Sequence, residues 1–302
     1  MEKHIVYIDK ANSSLSYEKN NLRVEVDGKL VKRVPLTLID SLIVYGNAEI
    51  HSSIFHHCAQ NDVSITFCKA NSEDLQMMLP KSHNDVKTKL RQYAIYNDDN
   101  ARLIIAKSML KMKIDQQLAL LNRLCPTTSK NTTAEIGALS SNIMNSTSIS
   151  QLMGYEGIIA RYYFSEFTKL FAHKWGFKKR NKFPAKDPVN VVLSYFYTII
   201  TKQCSMIAHA RGLDTRIGFL HEVHFGRDSF ACDLVEGVRF IVDELVYDLF
   251  QNEYFNLDDF NITDNGCLLT KSGRVKIFSQ VSLLKLQSRK IIQENLALLG
   301  LI

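Results

Sequence analysis

With 302 residues, 46% hydrophobic and 23% charged, the chain is long enough for two cored domains and too apolar for a disordered one. Its net charge of +6 is mild and points to nucleic acid only where the bases cluster. The six cysteines form no Cys-x-x-Cys pair, "MEKHIVYIDK" has no signal core, and no apolar run reaches about 18 residues, so the expectation is reduced thiols in a cytoplasmic protein with no membrane partner.

In chain order, "HIVYID", "SLSYEKNNLRVEV" and "RVPLTLIDSLIVYG" are rich in β-branched and aromatic residues and predict strands, with turns at Glu18 to Asn21 and at Asp27-Gly28. "VDGKLVKRV" carries a hairpin signal. A short helix over 52–61 and a strand at "VSITFC" follow, and β character fades after Cys68. From about Asp85 apolar residues recur at helical spacing, giving two helices broken near 97–100, the second ending at Cys125-Pro126. A Ser/Thr-rich stretch with one short helix leads to "SQLMGYEGIIARYYFSEFTKLFA", where Ser150 is the expected N-cap. Beyond a loop over 174–188, Pro188 starts a helix that Gly212 ends. Ser229 caps another, running from Phe230 to about Gln251, and the tail mixes a turn in "NGCLLTKSGRVKIF" with a final helix. The expected class is α+β. A small β-rich N-terminal domain (1–80) precedes a larger all-α C-terminal domain (85–302), the boundary falling between Lys69 and Val86.

Within "GFLHEVHFGRDSFACDLVEGVR", Asp233 and Glu236 stand at i and i+3, neighbours on one helix face, with His221 a short loop upstream. Acids near a helix start also suit the helix dipole, so spacing leaves a plain structural role open. Glu156, in the largely apolar "GYEGIIARYY", is costly unless it has a partner; an exposed glutamate beside Arg161 is the plainer alternative. Together Glu156, His221 and Glu236 offer two hard oxygen donors and one imidazole. That set suits Mg²⁺ or Mn²⁺ better than structural zinc and leaves positions open for a phosphodiester and an attacking oxygen. Asp233 could join them, orient His221, or hold a second ion.

"HKWGFKKRNKFPAKDPVN" gathers Lys174, Lys178, Lys179, Arg180, Lys182 and Lys186 with Trp175, Phe177 and Phe183 interleaved. A charge run is by default a solvated loop. This one lies between the suspected ligands and reads as a phosphate-contacting surface with aromatics that pack or stack. Arg211 or Arg216 would assist, and Arg180 is the first choice for direct contact with a nucleic-acid backbone.

The ordered set "GYEGIIARYYF", "FKKRNKFPAKDPVNVVLSYFYT" and "GFLHEVHFGRDSFACDLVEGVRF", with "LRQYAIYNDDNARLIIAKSMLKMKIDQQLALL" before it, resembles the CRISPR-associated integrase family over nearly the whole chain. The resemblance implies a divalent-metal-dependent DNA endonuclease and integrase of CRISPR adaptation. It would join 3′-hydroxyl ends of short DNA fragments to a repeat array. By motif position Glu156, His221 and Glu236 would hold Mg²⁺ or Mn²⁺, and Asp233 would also be functional. The implied partners are double-stranded DNA, a second copy of the chain paired through the β-rich domain, and the small second CRISPR adaptation protein. Two features depart from the family pattern. The basic loop has less arginine and proline than many members, and Glu222 and His224 replace small or basic residues. A metal-dependent DNA-repair nuclease and a non-catalytic DNA-binding protein are the alternatives.

Overall fold

The computed structural model describes residues 4–8, 10–45, 47–68, 75–78, 86–125 and 130–301. The chain forms two compact units, Met1–Val86 and Lys87–Ile302.

The first unit is β-rich. Strands β1 (His4–Ile8), β2 (Ser13–Glu18), β3 (Asn21–Val26), β4 (Lys29–Pro35), β5 (Ile39–Tyr45) and β6 (Ala48–Ile50) precede helix α1 (Ser53–Gln60), β7 (Ser64–Cys68) and β8 (Leu75–Met78). They make two sheets, in the orders β4-β3-β2-β6 and β1-β5-β7-β8. The hairpins β2–β3 and β3–β4 close through Lys19-Asn20 and Asp27-Gly28, all four residues at positive φ, as two-residue turns matched to strand twist require. In the other sheet β1, β5 and β7 run parallel and β8 antiparallel. Leu15, Leu22, Leu36, Ile39, Leu42 and Ile65 form the centre of the core. Strand β8 lies past Cys68, where the sequence reading expects β character to have faded; "LQMM" has no β-branched residue, and pairing with β7 supplies what propensity does not.

The second unit is mostly helical. Helices α2 (Val86–Asn97) and α3 (Asp99–Leu124) are separated at Asp98, whose carboxylate caps α3 by accepting from the N–H groups of Asn100 and Ala101. After α4 (Lys130–Met144) comes α5 (Ile149–Phe167), capped by Ser148 and not by the expected Ser150. Helix α6 (Pro188–Ala210) starts at Pro188 as expected, with Asp187 as its cap. It is long and apolar enough to cross a membrane by length and composition, yet Val189, Leu193, Phe196 and Ile200 lie in the core of this unit. The helix expected from Phe230 to Gln251 is two: α7 (Ser229–Glu236) and α8 (Arg239–Gln251), broken at Gly237. A Cβ on Gly237 would sit 2.7 Å from the Asn295 amide nitrogen, so the break brings the chain against the last helix, α9 (Lys271–Leu298). The turn expected in the tail is a two-stranded hairpin, β9 (Phe260–Thr263) with β10 (Gly266–Leu269), the one departure from an all-α unit among the described residues. Cys58, Cys204 and Cys267 are buried, and burial pushes the Cys58 and Cys267 thiols up to about 11.

Candidate active site

The segment from Gly218 to His221 folds tightly over the start of α7. Gly218 makes this possible, because a Cβ there would lie 2.7 Å from the His221 carbonyl oxygen and 2.9 Å from the Ser229 Cβ. One turn into α7, Asp233 is 1% exposed. Its Oδ2 accepts from the N–H of Phe219 and, at 3.0 Å, of Leu220. Its Oδ1 accepts from the N–H of His221 at 2.8 Å and faces the His221 Nδ1 at 2.7 Å. An ionised carboxylate only accepts, so Nδ1 carries the proton and the lone pair falls on Nε2. Of the roles open to Asp233, this geometry supports orienting His221.

Glu156, in α5, and Glu236, at the end of α7, converge on a residue absent from the expectations: Lys113 of α3. The Lys113 ammonium hydrogen-bonds Glu156 Oε1 and lies 2.7 Å from Glu236 Oε2. The Lys113 side chain is only 5% exposed. Beyond the helix break, Arg239 Nη2 donates to Glu236 Oε1 at 2.8 Å. Burial raises the Glu236 pKa, but the Arg239 guanidinium and Lys113 ammonium outweigh it and hold the carboxyl well below the usual range. A signal for Lys113 was present: it sits on the buried stripe Leu110, Lys113, Ile114, Gln117, Leu120, where an apolar residue is the default.

As arranged, no group of three or more His, Cys, Asp or Glu side chains among the described residues is set to hold a metal ion. The donor types nevertheless fit a hard divalent ion. Glu236 Oε2 is buried with the Lys113 ammonium 2.7 Å away, two carboxylates approach one cation, and the oriented imidazole offers Nε2. Lys113 stands on the oxygens such an ion would use.

The basic loop divides. Lys174, Lys178, Lys179, Lys182 and Lys186 are exposed, as are Arg211 and Arg216. Lys174 pairs with Glu253 at 3.0 Å. Lys182 keeps much of its surface in solvent, and partial burial together with the Arg239 and Arg180 charges lowers its pKa against the opposing pull of Glu236 and Glu156, which puts it in the field of the acid pair. Arg180, the first choice for DNA contact, turns inward: Nη1 donates to Asn181 O and Asn190 Oδ1 at 2.7 and 2.8 Å, and Nη2 to Ser194 Oγ at 3.0 Å. Two of these three acceptors belong to the first turns of α6, so the guanidinium is held against that helix. Trp175 and Phe177 are core residues, whereas Phe183 is 97% exposed. Beneath the acids, buried Asp243 accepts from Tyr163 Oη at 2.8 Å and from Tyr197 Oη. The Arg239 and Arg180 guanidinium carbons lie 4.6 and 5.4 Å from the Tyr197 ring centre.

The family model for "CRISPR associated protein Cas1" matches residues 6–282. A curated relative from Thermodesulfovibrio yellowstonii, a CRISPR-associated endonuclease Cas1, is 29% identical over 282 residues, covering 90% of this chain and 88% of its own. Among solved structures, a Cas1 protein from Thermotoga maritima superposes with TM-score 0.78 at 21% identity, covering 97% of each chain. A casposase bound to integration product gives 0.75 at 23%, covering 98% of this chain and 91% of that one. A Cas6-RT-Cas1–Cas2 complex gives 0.73 at 19%, covering 97% of this chain and 35% of that one. With the match spanning both units and every acid and histidine of the site, the chain belongs to the Cas1 family of CRISPR-associated proteins.

Proposed function

We propose that this protein is a metal-dependent DNA endonuclease and integrase of CRISPR adaptation, joining the 3′-hydroxyl ends of short duplexes to a repeat array. The observation that carries the reading is the pair of carboxylates, half-buried Glu156 and buried Glu236, closed on one cation next to an α7 that orients His221. Glu156, Glu236 and His221 Nε2 would hold Mg²⁺ or Mn²⁺, which when bound supplies Lewis-acid polarisation of a phosphoryl oxygen. Asp233 fixes the imidazole in the tautomer that leaves Nε2 bare. Arg239 neutralises the far oxygen of Glu236 and keeps it ionised. Lys178, Lys179 and Lys182, with Arg211, would bind backbone phosphates and set the strand's register without reading its sequence. The attacking group is the DNA's own hydroxyl, so no protein nucleophile is required. With water in its place the site would cleave. The likeness to a casposase–product structure supports strand transfer, and the Cas1–Cas2 likeness supports a small adaptation protein as partner. The reading further takes the chain to act as a homodimer in the cytoplasm.

The test is strand transfer of a short duplex with free 3′-hydroxyls into a supercoiled repeat-bearing plasmid, in Mn²⁺ or EDTA, with and without the small partner. Wild type should give Mn²⁺-dependent joined product; Glu156→Ala and His221→Ala should lose it by at least about 100-fold while duplex binding persists. Full activity in either variant would overturn the site, and cleavage without joining would favour a repair-type nuclease.

A further inference from the structure

Lys113 is more than a buried ion-pair partner. Position 113 belongs to the buried stripe of α3, where an apolar residue is the default. Lysine there sends its charge to a place where Glu156 would otherwise face Glu236 with only Arg239, on the far oxygen of Glu236, to compensate the pair. The Arg239 guanidinium holds Glu236 Oε1 and stacks on Tyr197, so it is fixed from two sides. Lys113 is held differently. Among the described contacts, its ammonium meets Glu156 Oε1 and, at 2.7 Å, Glu236 Oε2. These are the oxygens through which the two acids would grip a divalent ion. Two cations cannot share them, and of the two basic partners only the lysine, a point charge on a flexible stem, can withdraw without breaking other contacts.

Building on the metal-dependent reading above, we infer that Lys113 is an exchangeable counter-ion: it holds Glu156 and Glu236 together in the ion-free protein and yields their inward oxygens when the divalent ion enters. Its presence therefore lowers the affinity of the site for the ion and keeps the unloaded site intact. The displaced ammonium then lies beside the site as a free positive charge facing any phosphate brought there.

The experiment measures Mn²⁺ binding to the full-length protein by titration calorimetry, and melting in EDTA and in Mn²⁺. Lys113→Met should melt lower in EDTA, bind Mn²⁺ at least about tenfold more tightly than wild type, and show the larger rise in melting temperature on adding Mn²⁺. Wild-type or weaker Mn²⁺ affinity in Lys113→Met overturns the inference. Should that variant not fold without the ion, Lys113→Arg decides. Its rigid fork cannot withdraw, so EDTA stability should be kept while Mn²⁺ affinity falls at least about tenfold, and unchanged affinity overturns the inference. Glu156→Gln separates the two ideas. If wild type binds no more Mn²⁺ than Glu156→Gln, the metal-site reading fails. If wild type binds, Glu156→Gln does not, and Lys113→Met matches wild type, only the counter-ion role fails.

Discussion

Replacing Asp233 with Asn tests the positioning argument most directly, because it changes one atom and almost no volume. The carboxylate meets four donors: the backbone N–H groups of Phe219, Leu220 and His221, and the His221 Nδ1–H. An amide offers one acceptor oxygen and turns an NH₂ towards the other two donors. If the NH₂ faces Phe219 and Leu220, two buried backbone N–H groups lose their acceptor. If it faces His221, one backbone N–H is orphaned and the imidazole must switch tautomer, which protonates Nε2. An orphaned buried donor costs about 1–3 kcal/mol, and loss of charge assistance adds to it, so the variant should be destabilised by about 2–5 kcal/mol. At about 2–4 °C per kcal/mol for a domain of some 150–250 residues, melting should fall by roughly 4–20 °C. Urea unfolding followed by far-UV circular dichroism reads the free energy, and calorimetry of Mn²⁺ reads whether Nε2 remains available. A loss below about 1 kcal/mol with Mn²⁺ affinity intact would refute the claim that Asp233 orients His221.

Burial pushes the Asp243 carboxyl up to about 6 from an ordinary 3.8. The folded state then holds a proton that the unfolded chain releases, so this group makes stability fall as pH rises between about 4 and 6; Asp243→Asn should flatten that part of the stability–pH curve, and an unchanged slope would count against it. Arg180→Ala should lower melting, since its guanidinium closes the start of α6, whereas Lys178→Ala with Lys179→Ala should leave melting within about 0.5 kcal/mol and reduce the salt dependence of duplex binding by about 0.9 per lost phosphate contact. A large melting shift for the lysines, or none for Arg180, would reverse these assignments. Phe183→Ala and Phe225→Ala remove side chains that are 97% and 100% exposed, so stability should hold while affinity for a single-stranded oligonucleotide drops in a filter-binding assay; equal affinity would leave both rings without a stacking role.

The strands and hairpins of the first unit were legible because Asp-Gly turns and β-branched runs act locally, and β8 was not because its only support is a neighbouring strand. Helix limits set by local chemistry, such as Pro188 and the Asp98 break, could also be read. The interruption at Gly237 was not, since the contact that requires a glycine there, the Asn295 side chain of α9, comes from far along the chain. The same division runs through the site. Asp233 and His221 lie twelve residues apart and could be paired from the motif, and the basic run was visible as composition. What Arg180 does depends on Asn190 and Ser194, and Lys113 lies 43 residues before Glu156, so both roles emerge only when helices pack. A lysine on a buried stripe was the clue in reach, and it is the kind of local inconsistency that marks functional positions.

The loop beyond His221 has its own closure. The Glu222 carbonyl oxygen accepts from Ser229 Oγ at 2.8 Å and from Arg227 Nη2, which ties off residues 222–227 at their base. Asp233 separately pins the segment before it to α7. The tip, with Val223 and Phe225 turned to solvent, can therefore be rewritten without moving the imidazole. The loop tip and the imidazole sit on one stretch of chain but are anchored by separate hydrogen bonds, so a change at Val223 or Phe225 leaves the contact between His221 and Asp233 in place.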